Sequence, residues 1–495
     1  MNTRQSIIRR RRTGALSCAL LFVLSTLNPQ LSTCFAQGSL TPPGPPAPTM
    51  KKLDEVEPRT NLQATPAPAG VDTSNTNYHF IINQPGSYYL SANLGVTKAN
   101  GIQINAEGVT LDLNGFQISR TSGTGGNGIE IGNFSHRASI RNGSLKGFAS
   151  GIRVTTSSGL PYPTGCAFRD LAVSNCTISA ISIPSDGAVF ESCRVHNNSG
   201  SVGIATGESC TLSNCTAVSN TADFGIFTGS GCSLHNCSAN FNRGTASTSE
   251  SAGIRTGQFC SISNCTASFN TSTATATNST GIGFDLYSSS TIQNCTAYAN
   301  QGDGIIVRDA GTVIGCTVTG NGNGANGAGI NANNDAMVRD TTVQGNHSHG
   351  LKLGQRCKID NVNANGNGNG TTGSGISTDI HAMIRNCSAQ DNRKSGIVVL
   401  GESIVADCRA SHNGLGGAAA GIDSSGGVGA CRIEGNQARD NIGTGFLTNS
   451  TGGDIVIRNS AGNNSVVNYN PATGANIGLI QAPNSATNPM ANITF

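Results

Sequence analysis

A fixed six-residue spacing recurs ten times between residues 214 and 441 and constrains the fold more than any other feature of the chain. Each occurrence starts with Asn, Asp or Gly, the residue types that best tolerate a left-handed backbone, and each ends with Asn. Self-similarity at a period of 20 to 50 residues is typical of stacked repeats in which every unit needs its neighbours. The pairs are Asn214/Asn220, Asn236/Asn242, Asn264/Asn270, Asn294/Asn300, Gly315/Asn321, Asp340/Asn346, Asn361/Asn367, Asn386/Asn392, Asp407/Asn413 and Gly435/Asn441.

Each unit opens with Gly-Ile or a close variant and continues with alternating small and aliphatic residues. Cys260 and Ile262 alternate in one unit, and Cys265 and Ala267 resume the alternation one residue out of phase. A period of two indicates one face of a strand, and a one-residue shift would turn the second pair outward unless the chain bends between them. The repeat therefore predicts three short strands per coil, with a sharp corner between the second strand and the third.

The pattern Gly-Ile, then Cys-x-Ile-x-Asn-Cys-Thr-Ala-x-x-Asn, resembles bacterial right-handed parallel β-helix proteins of the pectate-lyase-like superfamily. Residues 101–116 are similar to an early coil of those proteins, and residues 78–90 to the strands that lead into it. The resemblance implies an all-β fold. It implies a single right-handed parallel β-helix solenoid of about 15 coils, with three short strands per coil and caps at both ends. Because this fold hosts many activities, the resemblance fixes no function.

Two other repeat architectures fit less well. A leucine-rich repeat has a similar period but needs a Leu-dominated interior, whereas the inward positions here are Cys, Ala, Ile, Val and Thr. A calcium-binding nonapeptide roll needs a Gly-Gly-x-Gly-x-Asp array, which the sequence lacks.

The chain divides into five predicted regions. Residues 1–36 read as a signal peptide, with cleavage near Ala36, because a positive segment precedes an apolar stretch too short to span a bilayer. We therefore expect a secreted, periplasmic or cell-surface protein without a transmembrane span in the mature chain; an uncleaved N-terminal anchor is the alternative. The remaining regions are a Pro-rich tether (37–50), an N-terminal cap with first strands (51–100), the β-helix (101–463) and a C-terminal cap (464–495).

The charge of the mature chain argues against nucleic-acid binding. Residues 1–36 carry five Arg and no acidic residue, so subtracting them from the formal net charge of +3 leaves about −2.

Fifteen cysteines remain after residue 36, and fourteen of them fall on two inward columns. Coils ~4.8 Å apart place neighbouring Cβ atoms farther apart than the ~3.8 Å that a disulfide prefers. We interpret these cysteines as small buried fillers. A disulfide-stapled column and a metal-binding column are the alternatives, although inward thiols without interleaved histidines argue against metal. The first column holds Cys166, Cys210, Cys232, Cys260, Cys357 and Cys431, and the second Cys193, Cys215, Cys237, Cys265, Cys295, Cys316, Cys387 and Cys408.

The candidate catalytic patch consists of charged residues that are predicted to face outward on and just after the first strands of the central coils. A lyase would need clustered carboxylates for calcium and an Arg or Lys base, and a hydrolase would need two acids at a set separation. Mixed signs, the absence of Trp and the scarcity of Tyr argue against sugar chemistry there. The candidates are Asp285, Arg308, Asp309, Lys352, Asp379 and His381.

We therefore expect a non-catalytic exported scaffold that contacts a polysaccharide, a cell-surface glycan or another surface partner. The alternative is a polysaccharide lyase or glycoside hydrolase acting on the outer face of the first strands. No cofactor is expected, except calcium if the protein is a lyase. His347 and His349 share one loop and offer a metal site, but solvated loop histidines are the simpler interpretation.

Overall fold

The structure is a computed structural model that describes residues 59–123, 125–155, 161–245, 250–273, 280–323, 327–370, 373–427, 429–448, 453–470 and 475–495. The chain separates into two units, Met1–Val56 and Glu57–Phe495. The first unit, and with it the predicted signal peptide and tether, lies outside the described residues. Among the residues that are described, no helix is long and apolar enough to cross a membrane.

The second unit is an all-β solenoid, as the sequence predicted. Each coil contributes a first strand to one parallel sheet and two further strands to another, and every strand pairs in register with its equivalent in the next coil. The first strands are Tyr78–Ile82, Asn100–Ile104, Asn127–Ile131, Ser150–Val154, Ser179–Ile183, Ser199–Thr206, Thr221–Thr228, Ala252–Thr256, Ile282–Leu286, Ile305–Val307, Ile330–Ala332, Leu351–Leu353, Ile376–Thr378, Ile397–Val398, Ile422–Asp423, Thr444–Leu447 and Val467–Asn470.

The second and third strands lie on either side of a left-handed corner. Two long strands, Ser139–Lys146 and Ala167–Ser174, run through both columns. The other second strands are Gly86–Tyr89, Val109–Asp112, Val189–Glu191, Thr211–Ser213, Ser233–His235, Ser261–Ser263, Thr291–Gln293, Thr312–Ile314, Met337–Arg339, Lys358–Asp360, Met383–Arg385, Ile404–Ala406, Arg432–Glu434, Ile455–Ile457 and Asn476–Ile477. The other third strands are Leu94–Val96, Gln117–Arg120, Arg194–His196, Thr216–Val218, Ser238–Asn240, Thr266–Ser268, Thr296–Tyr298, Thr317–Thr319, Thr342–Gln344, Asn363–Asn365, Ser388–Gln390, Arg409–Ser411, Gln437–Arg439, Ser460–Gly462 and Asn492–Thr494.

A few short elements lie outside these columns. Val71–Asp72 pairs antiparallel with Tyr78–Ile82, and Thr60–Asn61 pairs parallel with Gly86–Tyr89. Arg243–Gly244 pairs with Thr271–Ser272, and Ile480–Gln481 pairs with Asn492–Thr494. The 3-10 turn Pro483–Ser485 lies between the last two of these strands.

The corner predicted between the second and third strands is confirmed at all ten positions. The first residue of every pair has a positive φ, between 52° and 70°. The structure adds two further left-handed corners in most coils, such as Arg356 before a second strand and Asp391 before the second Asn of its pair. Non-glycine residues in this conformation carry a steric cost, which Asn and Asp lower by local hydrogen bonding.

The second Asn of each pair has a role that its position at the end of a strand did not reveal. These side chains point inward, are buried, and form a continuous ladder along the solenoid. Asn321, for example, donates from its backbone N to Oδ1 of Asn346 at 2.9 Å and from Nδ2 to the carbonyl of Ala297 at 3.0 Å. The ladder satisfies backbone groups at a corner where strand pairing is interrupted.

From Asn321 onward, the loop between the second Asn of a pair and the next first strand is alternately longer and shorter. Side chains just before the first strands account for this alternation. Asp303, His349 and Ser395 each accept a hydrogen bond from a backbone N–H in the long-loop coil that follows. These three residues are 46 positions apart, the period of a coil pair. Each short-loop coil thus provides an acceptor for the N–H that the longer loop leaves without a strand partner.

The core holds aliphatic residues and free thiols. All fifteen cysteines of the described chain are buried and unpaired, so none forms a disulfide. Aromatic packing is local, as where Phe168 stacks on Phe190 with centroids 4.8 Å apart.

Candidate functional site

The structure brings two of the six predicted site residues together. Asp285 lies on the outer face of a first strand, and Arg308 follows the first strand of the next coil. Arg308 Nη2 approaches Asp285 Oδ1 at 3.4 Å. Arg255, in the preceding coil, is the in-register neighbour of Asp285 and brings its Nε to 3.4 Å from Oδ2. Asp285 therefore lies between two guanidinium groups.

The register differs from the sequence prediction at this coil. The Gly-Ile pattern that opens each unit predicts that this one starts at Gly281-Ile282, but the strand pairing aligns Ile254 with Phe284. Gly283 therefore takes the place of Gly281, and Asp285 lies two residues after the coil's glycine rather than four. Gly281 instead has a φ of +67° in the connection before the strand.

Glu250 and Tyr287 complete the cluster. The Glu250 carboxylate contacts Arg255 Nη2 at 2.6 Å and Arg308 Nη2 at 3.5 Å. Arg255 Nη2 also donates to the Tyr287 hydroxyl at 2.5 Å, and the Arg308 guanidinium lies 4.3 Å from the centroid of the Tyr287 ring. Cation–π contact and two carboxylates thus hold both arginines in place.

Burial makes Asp285 a poor catalytic group. Its side chain is 1% exposed, beneath Arg255, Arg308 and Glu250. Burial raises the pKa of this carboxyl, and the two guanidinium groups oppose the rise. A general acid, base or nucleophile must reach substrate within hydrogen-bond distance, and this geometry prevents it.

The other four predicted residues lie apart from Asp285. Asp309 is exposed, and its Oδ1 accepts a hydrogen bond from the backbone N of Asn334 at 3.1 Å. Lys352 is exposed three coils further on, roughly 14 Å along the axis at ~4.8 Å per coil. Asp379 and His381 belong to the coil after that of Lys352, roughly 19 Å from Asp285.

Asp379 and His381 make only local contacts. Asp379 Oδ1 accepts from the backbone N of Ile380 at 2.9 Å. His381 Nε2 lies 2.8 Å from Glu402 Oε2 in the next coil, and both side chains are exposed. Asp335 and Arg356 form a similar pair two coils earlier, at 2.8 Å. Exposed pairs of this kind stabilise stacked corners by a small amount and do not define a catalytic centre.

A shallow groove of about 290 Å³ opens beside Arg255 and Tyr287. Phe227 forms one wall and is 36% exposed, and Gln258 and Ser230 add polar groups at the adjoining corner. Phe259, the corner residue after Gln258, is 66% exposed. Aromatic rings beside an arginine and an amide can bind a sugar ring by apolar and hydrogen-bond contact together.

Sequence reasoning missed most of this groove. We counted Trp and Tyr as aromatic platforms and did not count Phe. The positions two and four residues after the glycine of each unit are predicted to face outward, and Phe227 lies two residues after Gly225. The sequence pattern did not indicate a role for Glu250, because this residue belongs to a connection between coils rather than to the repeat.

A histidine metal site receives no support from this geometry. His349 Nδ1 faces the backbone N of Ser374 at 3.2 Å, and burial lowers the pKa of His349. In the described part of the chain, no group of three or more His, Cys, Asp or Glu residues is arranged to hold a metal ion.

Comparisons with known proteins agree with the fold. Residues 326–495 match the family described as "Right handed beta helix region". This match covers about a third of the chain, and the coil architecture of the described residues is that of a single right-handed parallel β-helix solenoid. No curated protein matches the sequence.

Several solved structures resemble this chain at low identity and low TM-score. The A-module of mannuronan C-5 epimerase AlgE6 from Azotobacter vinelandii is 12% identical, with a TM-score of 0.35, over 78% of this chain and 92% of that one. The catalytic unit of an α-1,3-glucanase from Streptomyces thermodiastaticus is 10% identical, with a TM-score of 0.30, over 79% and 62%. The Dettilon tailspike protein is 14% identical, with a TM-score of 0.27, over 68% and 61%.

Proposed function

We propose that this protein is an exported, non-catalytic β-helix that binds a polysaccharide or cell-surface glycan in the groove beside Arg255. The observation that carries the proposal is an open, aromatic-walled groove next to a charge cluster whose central carboxylate, Asp285, is buried. Phe227 and Tyr287 offer ring faces or edges, Gln258 offers an amide, and Asp285, the carboxylate between the two arginines, is buried. This arrangement suits recognition, because Asp285 is inaccessible and the Glu250 carboxylate, which is 36% exposed, is held in ion pairs with Arg255 and Arg308.

A glycan panel tests the proposal directly. The full mature chain is titrated with pectate, alginate, glycosaminoglycans and neutral glucans, and binding is measured by calorimetry. We expect Phe227→Ala to weaken binding of the recognised polymer at least about tenfold, the loss of roughly 1.4 kcal/mol expected for one stacking contact. Phe241→Ala is the matched control, because Phe241 is 54% exposed and stacks on Phe269 at a different corner.

Two outcomes would contradict the proposal. One is equal binding by wild type and Phe227→Ala, and the other is a loss confined to Phe241→Ala.

Activity assays separate this proposal from the enzymatic alternative. With calcium present, we expect neither ultraviolet-absorbing unsaturated products nor new reducing ends from any of these polymers. Turnover abolished by Asp285→Asn or Arg308→Ala would establish a lyase or hydrolase instead. The proposed binding needs no cofactor and no nucleic acid.

Export is a separate part of the proposal and has its own test. Mass spectrometry of the secreted or periplasmic product should give a mature N-terminus near Gln37, with all five arginines of residues 1–36 removed. An intact chain in the cytoplasm would contradict it.

A further inference from the structure

Arg255 is the one charged residue among the described residues that line the groove, and it is already paired. Its Nη2 lies 2.6 Å from Glu250 Oε2 and donates to the Tyr287 hydroxyl at 2.5 Å, and its Nε lies 3.4 Å from Asp285 Oδ2. Only 13% of its side chain is exposed. An anionic ligand would have to displace one of these partners in order to form a charge-assisted hydrogen bond to Arg255.

Aromatic rings lie on either side of the Arg255 guanidinium along the solenoid axis. Its central carbon is 5.1 Å from the ring centroid of Phe224, in the preceding coil, and 5.2 Å from that of Tyr287, in the following coil. Cation–π contacts of this kind offset part of the cost of burying a charge. Arg255 therefore supports the aromatic wall of the groove and does not present its charge to a ligand.

The charge cluster next to the groove is balanced. Arg308 Nη2 lies 3.4 Å from Asp285 Oδ1 and 3.5 Å from Glu250 Oε1. The guanidinium groups of Arg255 and Arg308 both favour the charged form of Asp285. Two arginines thus face two carboxylates, and the cluster adds no net positive charge to the groove.

Exposed carboxylates flank the groove at both ends. The groove extends over the three coils that contain Phe227, Arg255 and Tyr287, and the coil before them holds Glu208 while the coil after them holds Asp309. One coil is a step of ~4.8 Å, less than the screening length of about 8 Å at physiological ionic strength. These two carboxylates therefore make the electrostatic potential at the groove negative, which disfavours a polyanion.

We propose that the groove binds an uncharged polysaccharide and discriminates against polymers that carry uronate or sulfate groups. This inference rests on the glycan binding proposed above and specifies its substrate class. The groups that the groove offers to a sugar are neutral: the ring of Phe227, the amide of Gln258 and the hydroxyl of Ser230. Rings and neutral hydrogen-bonding groups suit the apolar faces and hydroxyls of an uncharged sugar.

Polymers that differ only in charge test the proposal. Pectate, alginate and hyaluronan are each compared with their carboxyl-reduced forms, in which a primary alcohol replaces every carboxylate, and neutral glucans complete the set. Binding to the full mature chain is measured by calorimetry at low salt. We expect the tightest ligand to be uncharged and to bind at least about tenfold more tightly than any acidic polymer, a difference of about 1.4 kcal/mol.

The outcomes distinguish this inference from the binding on which it rests. An acidic polymer as the tightest ligand, with binding weakened by Phe227→Ala, would overturn the preference for uncharged polymers and leave glycan binding in place. No binding to any polymer of the set would contradict both.

A single substitution tests the charge argument directly. Glu250→Gln removes one of the two carboxylates that balance Arg255 and Arg308, so acidic polymers should bind at least about fivefold more tightly at low salt. Glu191→Gln is the matched control, because Glu191 is 50% exposed and pairs with Arg169 at 3.1 Å on the second strands, away from the groove. Equal affinities of the two variants for acidic polymers would contradict the argument.

A second variant covers the case in which Glu250→Gln does not fold. Glu208→Gln combined with Asp309→Asn alters exposed side chains only and removes the carboxylates at both ends of the groove. It should likewise strengthen the binding of acidic polymers, and high salt should abolish the difference from wild type. An unchanged affinity for acidic polymers at low salt would show that these carboxylates do not set the preference.

Discussion

Asn361 shows how a single residue sets the direction of the chain at a corner. Its φ of 53° lies in the left-handed region, and its Nδ2 donates to Asp340 Oδ1 of the preceding coil at 2.8 Å. The backbone conformation favours Gly or Asn, and the side-chain contact favours Asn. Asn363, two residues on, lies in an ordinary strand and is exposed.

Substitutions at these two positions should separate the corner from the strand. We expect Asn361→Gly to be tolerated, and Asn361→Val to lower the free energy of unfolding by about 1–2 kcal/mol, because a β-branched residue resists the left-handed conformation. Asn363→Val should cost much less. Denaturant unfolding measures all three, and equal losses for the two valine variants would disprove the corner assignment.

Asp303 should make stability depend on pH. It is buried, its Oδ2 accepts from Asn331 Nδ2 at 3.0 Å, and burial raises its pKa to about 6 from an ordinary value of 3.8. The unfolded chain therefore releases this proton at lower pH than the folded chain. As pH rises from about 4 to about 6, the free energy of unfolding should fall by up to about 3 kcal/mol on account of Asp303.

The variant Asp303→Asn isolates this contribution. Asn retains an oxygen that can accept from the Ala328 N–H but does not titrate. The difference in unfolding free energy between wild type and variant should change between about pH 4 and pH 6 and stay constant above that range. A constant difference across the whole range would show that Asp303 titrates normally.

At the scale of the element, the sequence predicted the positions of the asparagines that form the ladder but not the inward orientation of their side chains. The spacing placed Asn321 and its equivalents correctly, because a periodic pattern reports position along the chain. It did not report that their side chains turn inward, because that orientation depends on the left-handed residue just before each one, such as Gly320 with a φ of 66°. That residue can be Gly, Ser, Phe, Ala, Asp or His. No single residue type marks it.

Removing one side chain of the asparagine ladder should destabilise the solenoid locally. Asn321 Oδ1 accepts from both the backbone N and Nδ2 of Asn300, at 3.1 and 2.9 Å. Asn321→Ala leaves that N–H and the Ala297 carbonyl buried without these partners, so we expect a loss of about 2–4 kcal/mol. Asn363→Ala, at an exposed strand position, is the control and should change the unfolding free energy by less than about 0.5 kcal/mol. Hydrogen exchange should be fastest at the coils flanking Asn321.

At the scale of the whole molecule, repeat positions were predictable and the candidate site was not. Fold, strand number and inward columns follow from a pattern that recurs in every coil. The site depends on what departs from the pattern: the two-residue shift at Gly283, the aromatic side chain of Phe227 and the carboxylate of Glu250. Whether Asp285 is exposed depends on neighbours that come from three different coils and one connection, and spacing within a repeat carries no information on those.

The end of the solenoid gives a prediction about the molecule as a whole. A second ladder of buried asparagine side chains ends at Asn492. The Oδ1 of Asn492 accepts from the backbone N of Asn459 at 3.0 Å, and its Nδ2 donates to the Val456 carbonyl at 2.9 Å. Tyr469 stacks on Phe446 with centroids 5.1 Å apart. Ending the chain at residue 463 removes both and leaves the edges of Ser460–Gly462 and Thr444–Leu447 unpaired.

Unpaired edges of parallel strands are templates for further pairing, so the shortened chain should associate end to end. Light scattering after size-exclusion chromatography should show concentration-dependent oligomers, together with a lower melting temperature than that of the full chain. Asn492→Ala is the control. This variant loses the hydrogen bonds of the Asn492 side chain but keeps the final strand, so it should lose stability without associating. A shortened chain with the same mass distribution as the full chain would show that residues 464–495 do not protect the end of the solenoid.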